Sequence, residues 1–233
     1  MIALIISVLT VFLCFTFNIR FHLDLTLLSI AIVFPLVFTI RGSFRRREKA
    51  LEHLSQFRAA LKTMYYFANS SNNLTEEDKK EISDILVEIS DMSMEHLKNN
   101  KESTETLDMI TDKVQSFVIS KSEIIGGRLK DRIFRFMNDL HESLENLHAI
   151  NTHRTPISLK AYCLVFIYIF PLIYAPTIIR DLATENTPSV TYFVVILTEF
   201  ILISLYNIQD QLEYPFDDYG LDDIKLDGFK MNR

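Results

Sequence analysis

Four stretches of this chain are built almost wholly from apolar residues, and their length decides most of what it can become. They run from Met1 to Phe17, Leu25 to Ile40, Ala161 to Ile179 and Val190 to Ile208. A helix needs roughly 20 apolar residues to cross the hydrocarbon core, with about 17 as a lower limit. All four approach that length once their polar flanks reach the interface, so the sequence predicts an integral membrane protein with four transmembrane helices. A cleaved signal peptide is the alternative for the first stretch. It lacks a basic leading segment, and no small-x-small cleavage site precedes Asn18, so a retained helix is expected.

Short connections then fix the pairing. Asn18 to Asp24 joins the first two stretches and Arg180 to Ser189 joins the last two. Linkers this short return the chain on the same side, so each pair forms an antiparallel hairpin. Arg41, Arg45, Arg46, Arg47 and Lys49 follow the second stretch, and Arg154 and Lys160 precede the third. The opposite side carries only Arg20 and Arg180, accompanied by Asp24, Asp181 and Glu185. Lys/Arg excess marks the cytoplasmic side, which places both termini and the middle of the chain in the cytosol, with the cell membrane as the expected location.

The middle of the chain reads as helices with an apolar stripe each. Leu51, Leu54, Phe57, Leu61 and Met64 form one stripe, and Ile82, Ile85, Leu86, Ile89 and Met92 a second. Leu107, Ile110, Val114, Phe117 and Val118 form a third, followed by Leu129, Ile133, Phe136, Leu140, Leu144 and Leu147. This spacing predicts a helical bundle. Asn69 to Asn73 and Asn99 to Ser103 separate the first three helices. Thr75 is placed to cap a helix beginning at Glu76-Glu77, and Gly126-Gly127 weakens the last helix near its start. The expected organisation is a first transmembrane hairpin over residues 1–42, a cytosolic helical domain over 43–158, a second hairpin over 159–208 and an acidic cytosolic segment over 209–233.

Little in this chain points to catalysis. The six histidines show no metal-ligand spacing, and Cys14 and Cys163 both sit inside apolar runs as small buried residues. Gly126-Gly127 lacks the Lys-Ser/Thr that would make a phosphate-binding loop. A net charge of −6 argues against a nucleic-acid surface. No enzyme and no required cofactor are expected.

Two features stand out within the apolar stretches. Glu199 lies in the middle of the fourth, where an acidic side chain costs about 2.5–3.5 kcal/mol on insertion scales. A structural hydrogen bond to a neighbouring helix is the simplest expectation for it, against a place in an ion path. In the second stretch Ile30, Phe34 and Phe38 recur along one helical face, with Pro35 among them removing a backbone donor. Such a stripe ordinarily faces lipid or packs; in a pore it would face a water-filled axis.

Three segments resemble the bestrophin family, whose bacterial members form pentameric ion channels. Phe21-His22-Leu23-Asp24-Leu25-Thr26-Leu27-Leu28, running into Phe38-Thr39-Ile40-Arg41-Gly42-Ser43-Phe44-Arg45-Arg46, is similar to the family's second span and the signature after it. Arg154-Thr155-Pro156-Ile157-Ser158-Leu159-Lys160-Ala161-Tyr162 resembles the family's approach to the third span. Leu212-Glu213-Tyr214-Pro215-Phe216, with Asp222-Asp223-Ile224-Lys225-Leu226-Asp227, resembles its Ile-Glu-Asn-Pro-Phe segment and the acidic stretch beyond. Arginines replace the usual aromatic pair after the second span, Tyr214 replaces Asn, and Tyr206-Asn207 stand where an acidic pair is common. The segment that normally precedes the first span has no counterpart.

The resemblance implies a homopentamer in a lipid bilayer, passing chloride or other small anions. It assigns Ile30, Phe34 and Phe38 to a pore neck and Ile157 to a second, cytosolic constriction. Animal members bind calcium through an acidic cluster here, which makes Asp217, Asp218, Asp222 and Asp223 the candidate ligands. The simpler expectation is a solvated acidic tail, or one paired with the Arg41 to Lys49 cluster. The competing function is a non-conducting membrane scaffold or signalling protein with a cytosolic helical module.

Overall fold

The structure, a computed structural model, describes residues 2–99, 103–182 and 188–232. Among them the chain forms seven α-helices: α1 (Ile2–Thr16), α2 (Leu25–Asn69), α3 (Glu76–Lys98), α4 (Glu105–Ser120), α5 (Gly127–Thr152), α6 (Ile157–Asp181) and α7 (Pro188–Leu212). A short 3-10 turn, Leu226–Phe229, follows. No strand occurs among the described residues, as the sequence predicts. Glu185 and most of the linker between α6 and α7 lie outside the described residues, as do residues 100–102.

Contacts divide the chain into two compact units, Met1–Arg45 with Thr155–Glu213, and Arg46–Arg154 with Tyr214–Arg233. The first holds the apolar helices. α2, α6 and α7 are long and apolar enough to cross a membrane. At 15 residues α1 is shorter, about 22 Å at the helical rise, against a hydrocarbon core of roughly 30 Å. It packs along both α6 and α7, burying Ala3, Ser7, Thr10, Val11 and Cys14. The Ser7 hydroxyl donates to the Ala3 carbonyl at 3.0 Å and that of Thr10 to Ile6 at 2.7 Å, so neither is left bare in apolar surroundings.

Two small apolar clusters hold this unit. Val11 and Cys14 of α1 meet Ala175 and Ile179 of α6 and Val195 of α7. One to two turns along α7, Leu202 packs with Ile167 and Phe170 of α6 and with Ile32 and Leu36 of α2. The buried side of α2 is therefore fixed by Ile32, Leu36 and Thr39, and the opposite side stays open.

The second unit is the expected helical bundle. The sequence stripes converge in one core that includes Leu54, Phe57, Leu61 and Met64 of α2, Ile82 and Leu86 of α3, Val114 and Phe117 of α4, and Leu140 and Leu147 of α5. α2 runs without interruption for 45 residues, so one helix serves both units where the sequence suggested a boundary near residue 42. The weak point expected at Gly126-Gly127 is the helix start itself, with Gly126 at the N-cap of α5. The acidic C-terminal segment is not a solvated tail: Phe216, Ile224, Leu226 and Met231 are buried in the same core. Met231 also donates its backbone N–H to Ser90 Oγ at 2.8 Å, and Arg58 Nε donates to the Lys230 carbonyl at 3.1 Å.

Thr75 caps α3 as the sequence suggests. Its side chain accepts from the Asp78 N–H at 3.1 Å, and Asp78 Oδ2 accepts from the Thr75 N–H at 3.1 Å. This reciprocal box satisfies two backbone donors that a helix start otherwise leaves open. Asp78 also pairs with Lys121 at 2.6 Å. The Lys121 side chain and then the Thr75 bonds hold the Asp78 carboxyl below its ordinary range. Because its folded value is depressed, its contribution to stability is present above the ordinary carboxylate range and is lost as pH falls through the lowered value. Thermal melts at descending pH should show this loss in the native protein and a flatter acid limb in Asp78→Asn.

Candidate functional site

The stripe Ile30, Phe34 and Phe38 lies on the open side of α2, opposite Ile32, Leu36 and Thr39. Phe34 is 57% exposed and Phe38 60%, with their ring centroids 6.0 Å apart and tilted by 44°. Leu27, Val33 and Val37 extend the same apolar surface. Helical geometry explains the grouping, since side chains three and four positions apart share a face. Pro35 sits inside the helix beside them, and the carbonyl of Ala31, deprived of its helical donor, faces the hydroxyl of Tyr162 at 3.3 Å.

Ile157 is the first residue of α6, directly after Pro156 at the N-cap, and is 84% exposed. Buried polar bonds fix the turn that carries it. Thr155 donates its N–H to Glu213 Oε1 at 2.8 Å. The other carboxylate oxygen, Glu213 Oε2, accepts from the Gln209 amide at 3.0 Å and from Lys160 Nζ at 2.7 Å. Lys160 also meets Asp210 at 2.7 Å. Burial opposes the Lys160 charge, but the carboxylates of Asp210 and Glu213 outweigh it and raise the ammonium above its ordinary value. The start of α6 is thus tied to the end of α7. In the second unit the neighbouring residues are linked as well, with the Arg154 guanidinium 4.0 Å from the centre of the Tyr214 ring.

Sequence reasoning marked Arg154 and Lys160 only as positive charges and gave Glu213 no partner. The i, i+4 spacing of Gln209 and Glu213 puts them on one face, which was the available signal. Their partners at Thr155 and Lys160 are more than 45 residues away and left no local trace.

The four candidate calcium ligands are not gathered into a site. Asp218 pairs with Lys98, and Asp217 and Asp223 are engaged by the backbone N–H groups of Tyr219 and Gly220. Burial first, and then the neighbouring carboxyls of Asp217 and Asp218, push the Asp223 carboxyl up. The acidic segment meets the basic cluster where Arg47 Nε donates to the Asp222 carbonyl at 2.9 Å, a backbone oxygen. Among the described residues no three His, Cys, Asp or Glu side chains gather to hold a metal ion. Gly220 closes the loop, because a Cβ there would strike the Asp223 carboxylate.

Glu199 does not line the open face of α2. It lies on the buried stripe of α7, between Val195 and Leu202, and is fully buried. Among the described residues neither of its carboxyl oxygens has a hydrogen-bond partner, which corrects the expected bond to a neighbouring helix. On α1 and α6 the hydroxyls of Ser7, Thr10 and Thr177 are spent on their own backbones. An unsatisfied buried polar group costs about 1–3 kcal/mol. Glu199→Leu should therefore raise thermal stability in detergent by about that amount, or roughly 1–3 kcal/mol. Glu213→Leu should do the reverse, costing about 1–3 kcal/mol by removing the acceptor of the Thr155 N–H and one of the two carboxylates that Lys160 meets.

The fold and these sites define an all-α integral membrane protein, and solved structures share it. A bacterial bestrophin homologue from Klebsiella pneumoniae, in two single-substitution variants, superposes with TM-scores of 0.78 and 0.79. Identity is 16% and 17%, with 98% of this chain and 92% and 93% of the homologue covered. A structure described as a membrane protein gives 0.81 at 16% identity, covering 98% of this chain and 93% of the other. No family model matches the sequence, and no curated relative matches it. The chain has the bestrophin fold.

Proposed function

We propose that this chain is the subunit of a pentameric ion channel that passes chloride and other small anions. The observation that carries this is the uncovered apolar stripe of Ile30, Phe34 and Phe38 on the α2 helix of a bestrophin fold. Packed around an axis, copies of α2 would turn the stripe inward and make a narrow apolar neck. Such a constriction gates by wetting and dewetting rather than by a fixed charge. Phenylalanine rings carry a positive edge and a negative face. Ring edges presented by Phe34 and Phe38 favour a partly dehydrated anion without a cationic side chain at the neck. Ile157, exposed at the start of α6 and held by the Glu213 turn, supplies a second constriction. Lys/Arg placement puts both termini and the α3–α5 bundle on the cytosolic side of the cell membrane.

Purified protein in planar bilayers should give currents whose reversal potential follows the chloride gradient. Phe34→Ala and Phe38→Ala should each widen the neck and raise single-channel conductance. Well-folded oligomers that pass no current, or a monomer or dimer by mass in mild detergent, would favour a membrane scaffold instead. A reversal potential following sodium or potassium would overturn the anion assignment alone.

A further inference from the structure

Pro35 has no backbone N–H, so the carbonyl of Ala31, four residues earlier, receives no helical hydrogen bond. In hydrocarbon such a carbonyl must find a donor within the protein, commonly a side chain from a neighbouring helix. The donor here is the phenol of Tyr162 on α6, 3.3 Å away, somewhat longer than the mode of about 2.7–2.8 Å for hydroxyl donors. The Tyr162 ring is held in turn. It lies 4.5 Å from the Phe166 ring, and Phe166 packs against the cluster that contains Ile32 and Leu36 of α2 itself. Ala31 adjoins Ile30 and stands one turn before Phe34 and Pro35. The only backbone defect that proline introduces into the α2 stripe is therefore closed from α6.

We propose that Tyr162 is a positioning residue for the neck: its O–H replaces the donor that Pro35 lacks and sets how α2 presents Ile30, Phe34 and Phe38. The role rests on the channel reading given above. It acts through the backbone, and the phenol itself stays off the pore-facing stripe. A free carbonyl would let α2 bend or rotate at Pro35, and the rings at Phe34 and Phe38 would follow.

A double-substitution cycle separates this role from ordinary packing. Tyr162→Phe keeps the ring against Phe166 and removes only the hydroxyl. Pro35→Ala restores the backbone N–H, which then donates to Ala31 and makes the phenol redundant. In the native background Y162F should change single-channel conductance or open probability by about two- to fivefold, the size of one net hydrogen bond. It should also lower the melting temperature of the detergent-solubilised protein. In the P35A background Y162F should leave both unchanged. Equal effects of Y162F in the two backgrounds, or none in the native one while the channel conducts, overturn the role of Tyr162. A folded wild type that passes no current overturns the channel itself, and the melting temperatures of the four proteins then still test the bond from Tyr162 to Ala31.

Discussion

A polypeptide in hydrocarbon has no water to satisfy its backbone, and that single condition organises the apolar unit of this protein. It forces helices, because only a helix bonds its own N–H and C=O groups within one segment. It explains why the hydroxyls of Ser7, Thr10, Thr177 and Thr198 all turn back on their own helices. It also gives Pro35 its significance. A proline in a soluble helix leaves a carbonyl that water can reach; in α2 the same defect calls in Tyr162 from another helix. Glu199 is the counterexample, a buried group for which no such arrangement was made.

Where the chain leaves the apolar unit, polar interactions take over the structural work. Glu213 gathers a backbone N–H, an amide and an ammonium on one carboxylate, and Lys160 is shared with Asp210. These bonds are charge-assisted and shielded, so they fix geometry more firmly than an exposed ion pair would. Arg154 and Tyr214, the next residues along the chain on each side, use a ring face rather than a second carboxylate. Tyr214 thus has a partner of its own in Arg154.

The features legible in the sequence were those set by neighbours in the chain. Apolar length gave the membrane helices, the spacing of Leu54, Phe57 and Leu61 gave a buried face, and Thr75 with Asp78 gave a capped start. The Ile30, Phe34 and Phe38 stripe was visible for the same reason. Features that depend on distant residues were not legible. Glu213 meets Thr155 across 58 positions, and Tyr162 reaches Ala31 across 131. The acidic segment after Pro215 read as solvated because its charges outnumber its apolar residues; the few that matter, Phe216, Ile224, Leu226 and Met231, find a core assembled from elsewhere. A sequence also shows that Glu199 is costly without showing whether anything compensates.

The burial of those last apolar residues has a consequence for how the protein is made. The core that begins with Ala50 and Leu54 is completed by Leu226 and Met231, so the bundle lacks part of its interior until those residues have been synthesised. Folding of domains during synthesis ordinarily proceeds from the N-terminus. Here the membrane helices at both ends of the middle segment are already translated before the bundle can close. The bundle therefore closes only after all the apolar helices have been made, and a chain cut before Phe216 would carry those helices with the bundle core still open.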